Sequence, residues 1–393
     1  MNTRERFHAV MNFERVRTLK TEYGYWSTTI KRFIREGMPV IEKLPENLPD
    51  NGTISGAITV DPESSVVEEK NIRARFNLDS YAAKFPIDFS PFFKIKVLEE
   101  NEEYKVYTDE YGITVKKRKS GTSAPLYIDF PIKNRSDFYQ YREHYGKDYS
   151  KRLPKNWKNL CAQLRDRDFP IRLGGYPFGF FGFPRHLIGF PQLFYLLYDD
   201  PKLIHELNDF FLNFCMQYWA ALFTDFQPDC VLIWEDMASK TGSLISPAMF
   251  REFMTPYYKK LIDYFTQYGI KNILVDSDGY IEDLLMLWNE VGVTGIFPVE
   301  IQAGNDILRI RDHFPKMQLF GGIDKRILTV EKSETEMDAE LEKVKRVLRT
   351  GGYIPHMDHH IPDDACWKNF QYYRKRLNKI IDGSVESSDA QLF

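Results

Sequence analysis

Apolar runs rich in β-formers alternate with apolar residues at helical spacing through the C-terminal half of the chain. The run 231–234 predicts a strand. Ser246 and Pro247 then suit the N-cap and first turn of a helix. Met249, Phe250, Phe253, Met254, Tyr257, Leu261 and Phe265 continue that helix, and Gly269 is placed to end it. Four more pairs follow: strand 272–275 with helix 281–291, strand 294–299 with helix 306–313, strand 317–320 with helix 334–349, and strand 352–355 with helix 363–381. Strand–helix alternation with short connections implies parallel strands and right-handed crossovers.

Upstream, 170–174 reads as a strand before a helix ending near Phe223, and 19–23 as a strand between two helical segments. These make seven strands, and an eighth is expected between 54 and 89. The expected fold is α/β, a (β/α)8 TIM barrel formed by residues 1–393 as one domain. An open doubly wound sheet alternates in the same way, so the pattern alone leaves both architectures open. Residues 105–115 alternate like a hairpin with its turn at 109–112. The stretch 95–130 is therefore expected to be an insertion near the barrel mouth. The polar tail 383–393 is expected to fray.

The 393 residues are 43% hydrophobic, enough for a large core, and the formal net charge is −3. No basic face is indicated for nucleic acid or anionic lipid. The N-terminus carries charge where a signal peptide needs an apolar stretch, and no apolar run approaches a membrane span. The four cysteines are scattered singly, without a CxxC pair. A cytoplasmic protein binding a small molecule, not nucleic acid or membrane, is the expectation.

Chemistry in parallel α/β folds sits at the C-terminal ends of strands. The residues directly after the five C-terminal strands are Glu235 and Asp236; Asp276 and Asp278; Glu300; Asp324, Lys325 and Arg326; and His356, Asp358, His359 and His360. Every strand delivers a carboxylate to one rim. Asp276 and Asp278 lie two apart, so both can face one side. Three of the eight histidines fall within five residues. Asp276, Asp278 and His359 resemble a metal set of oxygen and nitrogen donors suited to zinc, manganese or iron. Alternatively, clustered carboxyls act as general acid and base without metal. The glycine-rich GGYPFGFFGFP lacks the GK[ST] of a phosphate loop. Its Gly174, Gly175, Tyr176 and Phe178 could approach a planar ligand or simply pack.

RERFHAVMNFERV, GGYPFGF, LLYDDPKLIHEL, EDMASKTGSLISPAMFREFMTPYYKKLID, VDSDG, GGIDKR and GGYIPHMDHHIPDDACWKN together resemble the uroporphyrinogen decarboxylase superfamily, which includes zinc-dependent methylcobalamin methyltransferases. The resemblance covers about residues 3–380 and implies a closed barrel and, often, a homodimer. The decarboxylases' arginine-rich RQAGR segment is replaced here by EYGYWSTTIKR, so an unassigned branch is expected. By this resemblance Asp276 and Asp278 take the place of a His-x-Cys pair, and His359 that of a distant Cys. A metal-dependent methyltransferase working with a corrinoid partner is then implied, with a divalent metal, zinc, at those three residues. Glu235, Asp236 and His356 would orient substrate or move a proton. Tyr23, Tyr25, Trp26, the glycine-rich segment, Glu300, Asp324, Lys325 and Arg326 would line the site. Asp88 matches the decarboxylases' catalytic aspartate. The alternatives are a metal-free decarboxylase of a tetrapyrrole or other carboxylated substrate, with Lys325, Arg326 or Arg185 pairing its carboxylate, and a non-catalytic tetrapyrrole- or corrinoid-binding protein.

Overall fold

The computed structural model describes residues 1–46, 48–61, 64–81, 85, 87–120, 124–146 and 152–384. Three short strands come first, β1 (Gly24–Trp26), β2 (Thr53–Ser55) and β3 (Val67–Glu68). Next is an antiparallel sheet of β4 (Lys96–Glu100), β5 (Tyr104–Thr108), β6 (Thr114–Arg118) and β7 (Leu126–Asp129). Asp109 holds the turn between β5 and β6 by accepting from the Tyr111 and Ile113 amides at 3.0 and 2.9 Å.

The rest of the chain builds a parallel sheet. Its first strands are β8 (Arg172–Gly174) and β9 (Cys230–Trp234). A two-residue ribbon, β10 (Ala238–Ser239) and β11 (Gly242–Ser243), follows, then β12 (Ile273–Asp276), β13 (Gly295–Val299), β14 (Gln318–Ile323) and β15 (Tyr353–Met357). The sheet order is β15-β14-β13-β12-β9-β8, every neighbouring pair parallel. A helix follows each strand, giving a mixed α/β fold in which the strand positions agree with the apolar runs to within a few residues.

Strand periodicity splits the core in two. Ile273 and Val275, Ile296, Leu319 and Tyr353 pack outward with the helices. Cys230 and Leu232, Leu274, Phe297, Phe320 and Ile354 point the other way and pack together with Leu19, Ala57 and Tyr81. Helix α1 (Thr3–Met11) adds Phe7, Val10 and Met11 to this second cluster. The Asp229 carboxylate ties α1 to the start of β9: it meets Arg4 at 2.7 Å, His8 at 2.7 Å and Arg167 at 2.6 Å.

The N-terminal half departs most from expectation. The strand expected at 19–23 is displaced to Gly24–Trp26, which pairs antiparallel with Thr53–Ser55. Gly24 permits that pairing because a Cβ there would lie 2.8 Å from the Ile54 carbonyl oxygen. Residues 18–23 instead bond through Thr18 Oγ1, which donates to the Tyr353 carbonyl at 2.6 Å. The eighth strand expected within 54–89 is not found in the parallel sheet among the described residues; 62, 63, 82–84 and 86 lie outside them. The single helix expected from 246 is two, Pro247–Phe253 and Thr255–Gln267. Pro256 at the start of the second has no N–H to continue the first. The tail from 385 onward lies outside the described residues.

Candidate active site at the strand ends

The inward parity of the strands decides which end residues share a cavity. Leu274 faces inward, so Asp276 does too; Ile354 faces inward, so His356 follows. Both line a cavity of about 200 Å³ with Tyr23, Arg172, Phe297 and His360. Tyr23 stacks on Phe297 at 5.3 Å and on His359 at 4.8 Å, joining the cavity to the rim. His356 Nδ1 lies 2.7 Å from the Met357 carbonyl, which assigns the proton to Nδ1 and leaves Nε2 as an acceptor.

Charge at this end is unusual. Asp276 has its carboxyl pushed well above the ordinary range, first by loss of hydration and then by Asp278, against the pull of Arg172. Asp278 is pushed up to about 7 by loss of hydration and by the like charges of Asp236 and Glu300. Its side chain keeps 44% of its surface exposed, so water moderates that push. Burial lowers the three imidazoles, His356 to about 4, His359 to about 3 and His360 to about 4. They are neutral at physiological pH and do not offset the acids.

His359 Nε2 lies 3.6 Å from Asp278 Oδ2. A carboxylate beside a neutral imidazole is a hard donor pair of the kind divalent cations take. Among the described residues, however, no group of three or more His, Cys, Asp or Glu side chains is gathered closely enough to hold a metal ion. The expected trio therefore resolves into a pair, Asp278 and His359, with Asp276 turned into the cavity.

Other expected site residues are occupied elsewhere. Glu235 is fully buried; its carboxylate accepts from the amides of Phe180, Phe181 and Gly182 at 2.9, 2.6 and 2.8 Å and from the Tyr258 hydroxyl at 2.6 Å. It anchors the glycine-rich segment. Asp236 is ion-paired with Arg185, and Asp324 with Arg326. Glu300 accepts from the Gly279 amide at 2.9 Å. Asp358, also fully buried, accepts from the Ile301 amide at 3.1 Å and lies 4.0 Å from Lys325 Nζ.

The glycine-rich segment packs instead of lining the cavity. Gly174 and Gly175 have φ of +86° and +91°, and a Cβ on Gly174 would lie 2.4 Å from the Leu232 carbonyl oxygen. Phe178 is a core ring against Trp219, and the Tyr176 hydroxyl meets the His186 ring at 3.0 Å. Tyr25 is fully buried in the core against Phe370, while Trp26 lies 6.0 Å from the His360 ring. Asp88 caps its own turn, accepting from the Ser90 amide at 2.7 Å, and borders a separate open groove with Phe92 and Tyr111.

The cavity residues that escaped sequence reasoning include Arg172, Glu22 and Tyr81. A signal for Arg172 was present: it is a charged residue inside an otherwise apolar strand run.

Among the described residues no helix is long and apolar enough to cross a membrane. No curated protein sequence matches the chain. A methyltransferase from Methanosarcina mazei shares its fold, with a TM-score of 0.55 and 15% identity over 97% of this chain and 98% of that one. A B12-independent methionine synthase from a Shewanella species aligns at a TM-score of 0.33 and 14% identity, over 78% of this chain and 77% of that one. Residues 112–379, more than half of the chain, match the sequence profile of uroporphyrinogen decarboxylase (URO-D). The chain therefore belongs to the uroporphyrinogen decarboxylase family.

Proposed function

We propose that this chain is an enzyme that transfers a methyl group of a small substrate held in the ring-lined cavity, with a divalent cation, zinc by preference, at Asp278 and His359 and a corrinoid carried by a partner at the mouth. The observation that carries this reading is the Asp278–His359 pair on the rim of a cavity that holds a second carboxyl, Asp276. The four acids of the rim, Asp236, Asp276, Asp278 and Glu300, repel one another, and a cation relieves that repulsion. Such an ion, when bound, polarises a thiol, hydroxyl or methoxy group. Asp276, whose carboxyl is raised well above the ordinary range, would hold or move a proton at the substrate heteroatom. His356 accepts a proton or hydrogen bond at Nε2. Tyr23 and Phe297 exclude water from the substrate body.

The barrel reading belongs to the same proposal. Thr18 bonds to Tyr353 on β15, Tyr81 accepts from the Ile58 amide at 2.9 Å, and Arg172 on β8 accepts from the Phe85 amide at 2.8 Å. These contacts at the sheet's two edges support closure, and we read residues 1–393 as one (β/α)8 barrel with 95–130 near its mouth.

The test is elemental analysis after soaking in zinc and removal of excess. About one equivalent per chain is expected, with loss in Asp278→Asn and in His359→Ala. A wild-type chain that retains no metal would sink the reading. One observation favours a second: the Asp276 carboxyl, raised well above the ordinary range, is already in the cavity, which suits proton delivery in a metal-free decarboxylation. That alternative predicts carbon dioxide release that persists in chelator.

A further inference from the structure

The buried arginines of this protein fall into two kinds. Arg167 and Arg374 meet carboxylates, Asp229 at 2.6 Å and Glu22 at 2.7 Å. Arg152 and Arg311 are held by backbone carbonyls, such as Tyr145 at 2.8 Å and Met317 at 2.9 Å. Each of these cations has a structural account. Arg172 has none. It lines the inner cavity, and its guanidinium makes one long contact, 3.5 Å to the Tyr81 hydroxyl. Its Nε is buried without a partner, and no ion pair involving it occurs among the described residues. The plane lies over Phe297 at 4.7 Å, which orients the fork but satisfies no N–H. An unpaired guanidinium withdrawn from water is costly unless something else completes it.

Asp276, in the same cavity, attracts Arg172 from a distance but forms no ion pair with it, and the remaining polar groups of the cavity do not serve. Glu22 is already bonded to Arg374 and to the Tyr373 hydroxyl at 2.6 Å. The histidines facing it, His356 and His360, are neutral. The cations that the sequence offered for a substrate anion, Arg185, Arg326 and Lys325, lie against Asp236, Asp324 and Asp358.

We infer that Arg172 is the anchor for the carboxylate of the substrate, and that the substrate is a compact carboxylate with an apolar, ring-sized body. The bidentate fork of an arginine matches a carboxylate. The body would lie between Tyr23, Phe297 and Phe320, which line the same cavity. A volume of about 200 Å³, that of roughly six or seven waters, admits a substituted single ring and not a tetrapyrrole.

Register also sets the orientation. Arg172 is level with Cys230 on β9, and Asp276 is level with Trp234, four residues further along. At the rise of a strand this places the two backbones about 13 Å apart along the barrel direction. The carboxylate therefore enters first, and the opposite end of the substrate is presented to Asp276 and the Asp278–His359 pair. This rests on the cavity being the substrate site, as in the proposed function, but not on which reaction follows.

Benzoate and benzamide, which share a ring and differ in charge, are the probes, with binding followed by calorimetry near neutral pH. The wild-type chain should bind benzoate at least about tenfold more tightly than benzamide. Arg172→Met should erase that preference while benzamide binding persists, and Arg172→Lys should restore part of it. Melting curves of both variants check that they fold. Equal affinity for the two probes, no binding of either, or a preference that survives Arg172→Met would overturn the inference. Asp278→Asn should keep the benzoate preference while losing zinc, so failure of the metal reading and failure of the anchor are distinguishable.

Discussion

Asp276 and Asp278 show how much a single side chain owes to its surroundings. An acid whose carboxyl is raised in the folded state binds its proton more tightly there than in the unfolded chain. Its contribution to stability is complete below the unfolded value, about 4, and is lost as pH rises through the folded one. For Asp278 that window closes at about 7. In metal-free protein, Asp278→Asn should therefore raise the melting temperature near about pH 8, and the gain should vanish near about pH 4. A melting temperature that falls at the higher pH would show the carboxylate to be a stabilising group. The same titration governs the proposed cation site. Protons compete with the metal, so zinc affinity should strengthen as pH rises through about 7, read by competition with a chromophoric chelator.

At the scale of elements, the glycine-rich segment and β9 form one device. A Cβ on Gly179 or Gly182 would lie 2.0 or 2.1 Å from the Trp234 carbonyl oxygen, so only glycine lets this segment lie on the strand end. Glu235 locks it there through three amides and Tyr258. Glu235→Ala leaves those buried donors without an acceptor and should cost about 3 kcal/mol or more, measured by denaturant unfolding. It should leave benzoate binding in the folded fraction intact, since Glu235 does not line the cavity. The sequence presented Glu235 as a strand-end acid like Asp276. Chain position alone did not separate an acid that faces the cavity from one that faces backbone amides. Side-chain parity did: Leu274 and Asp276 share the inner face, and Glu235 follows the outer one.

For the whole molecule, Asp229 joins α1, Arg167 and the start of β9 at the end opposite the site. Its carboxyl is held well below the usual range; burial opposes this, but His8, Arg167 and Arg4 outweigh it. The stability it supplies is present above the unfolded value near about 4 and is lost as pH falls toward the depressed folded one. Asp229→Asn should cost about 3–5 kcal/mol near neutral pH, because Arg167 is left buried with an uncompensated charge; the difference from wild type should shrink in acid, followed by urea unfolding. By itself the sequence determined the α/β alternation, the C-terminal strands and the acidic strand-end rim, because apolar periodicity and the residues that end each run are local properties. Only the tertiary structure decided which rim residues share a cavity, that the expected trio is a pair, and that Arg172 stands without an ion-pair partner among the described residues. Those depend on strand register and on contacts between residues far apart in the chain, such as Arg172 with Tyr81 and Asp278 with His359, which no local pattern records.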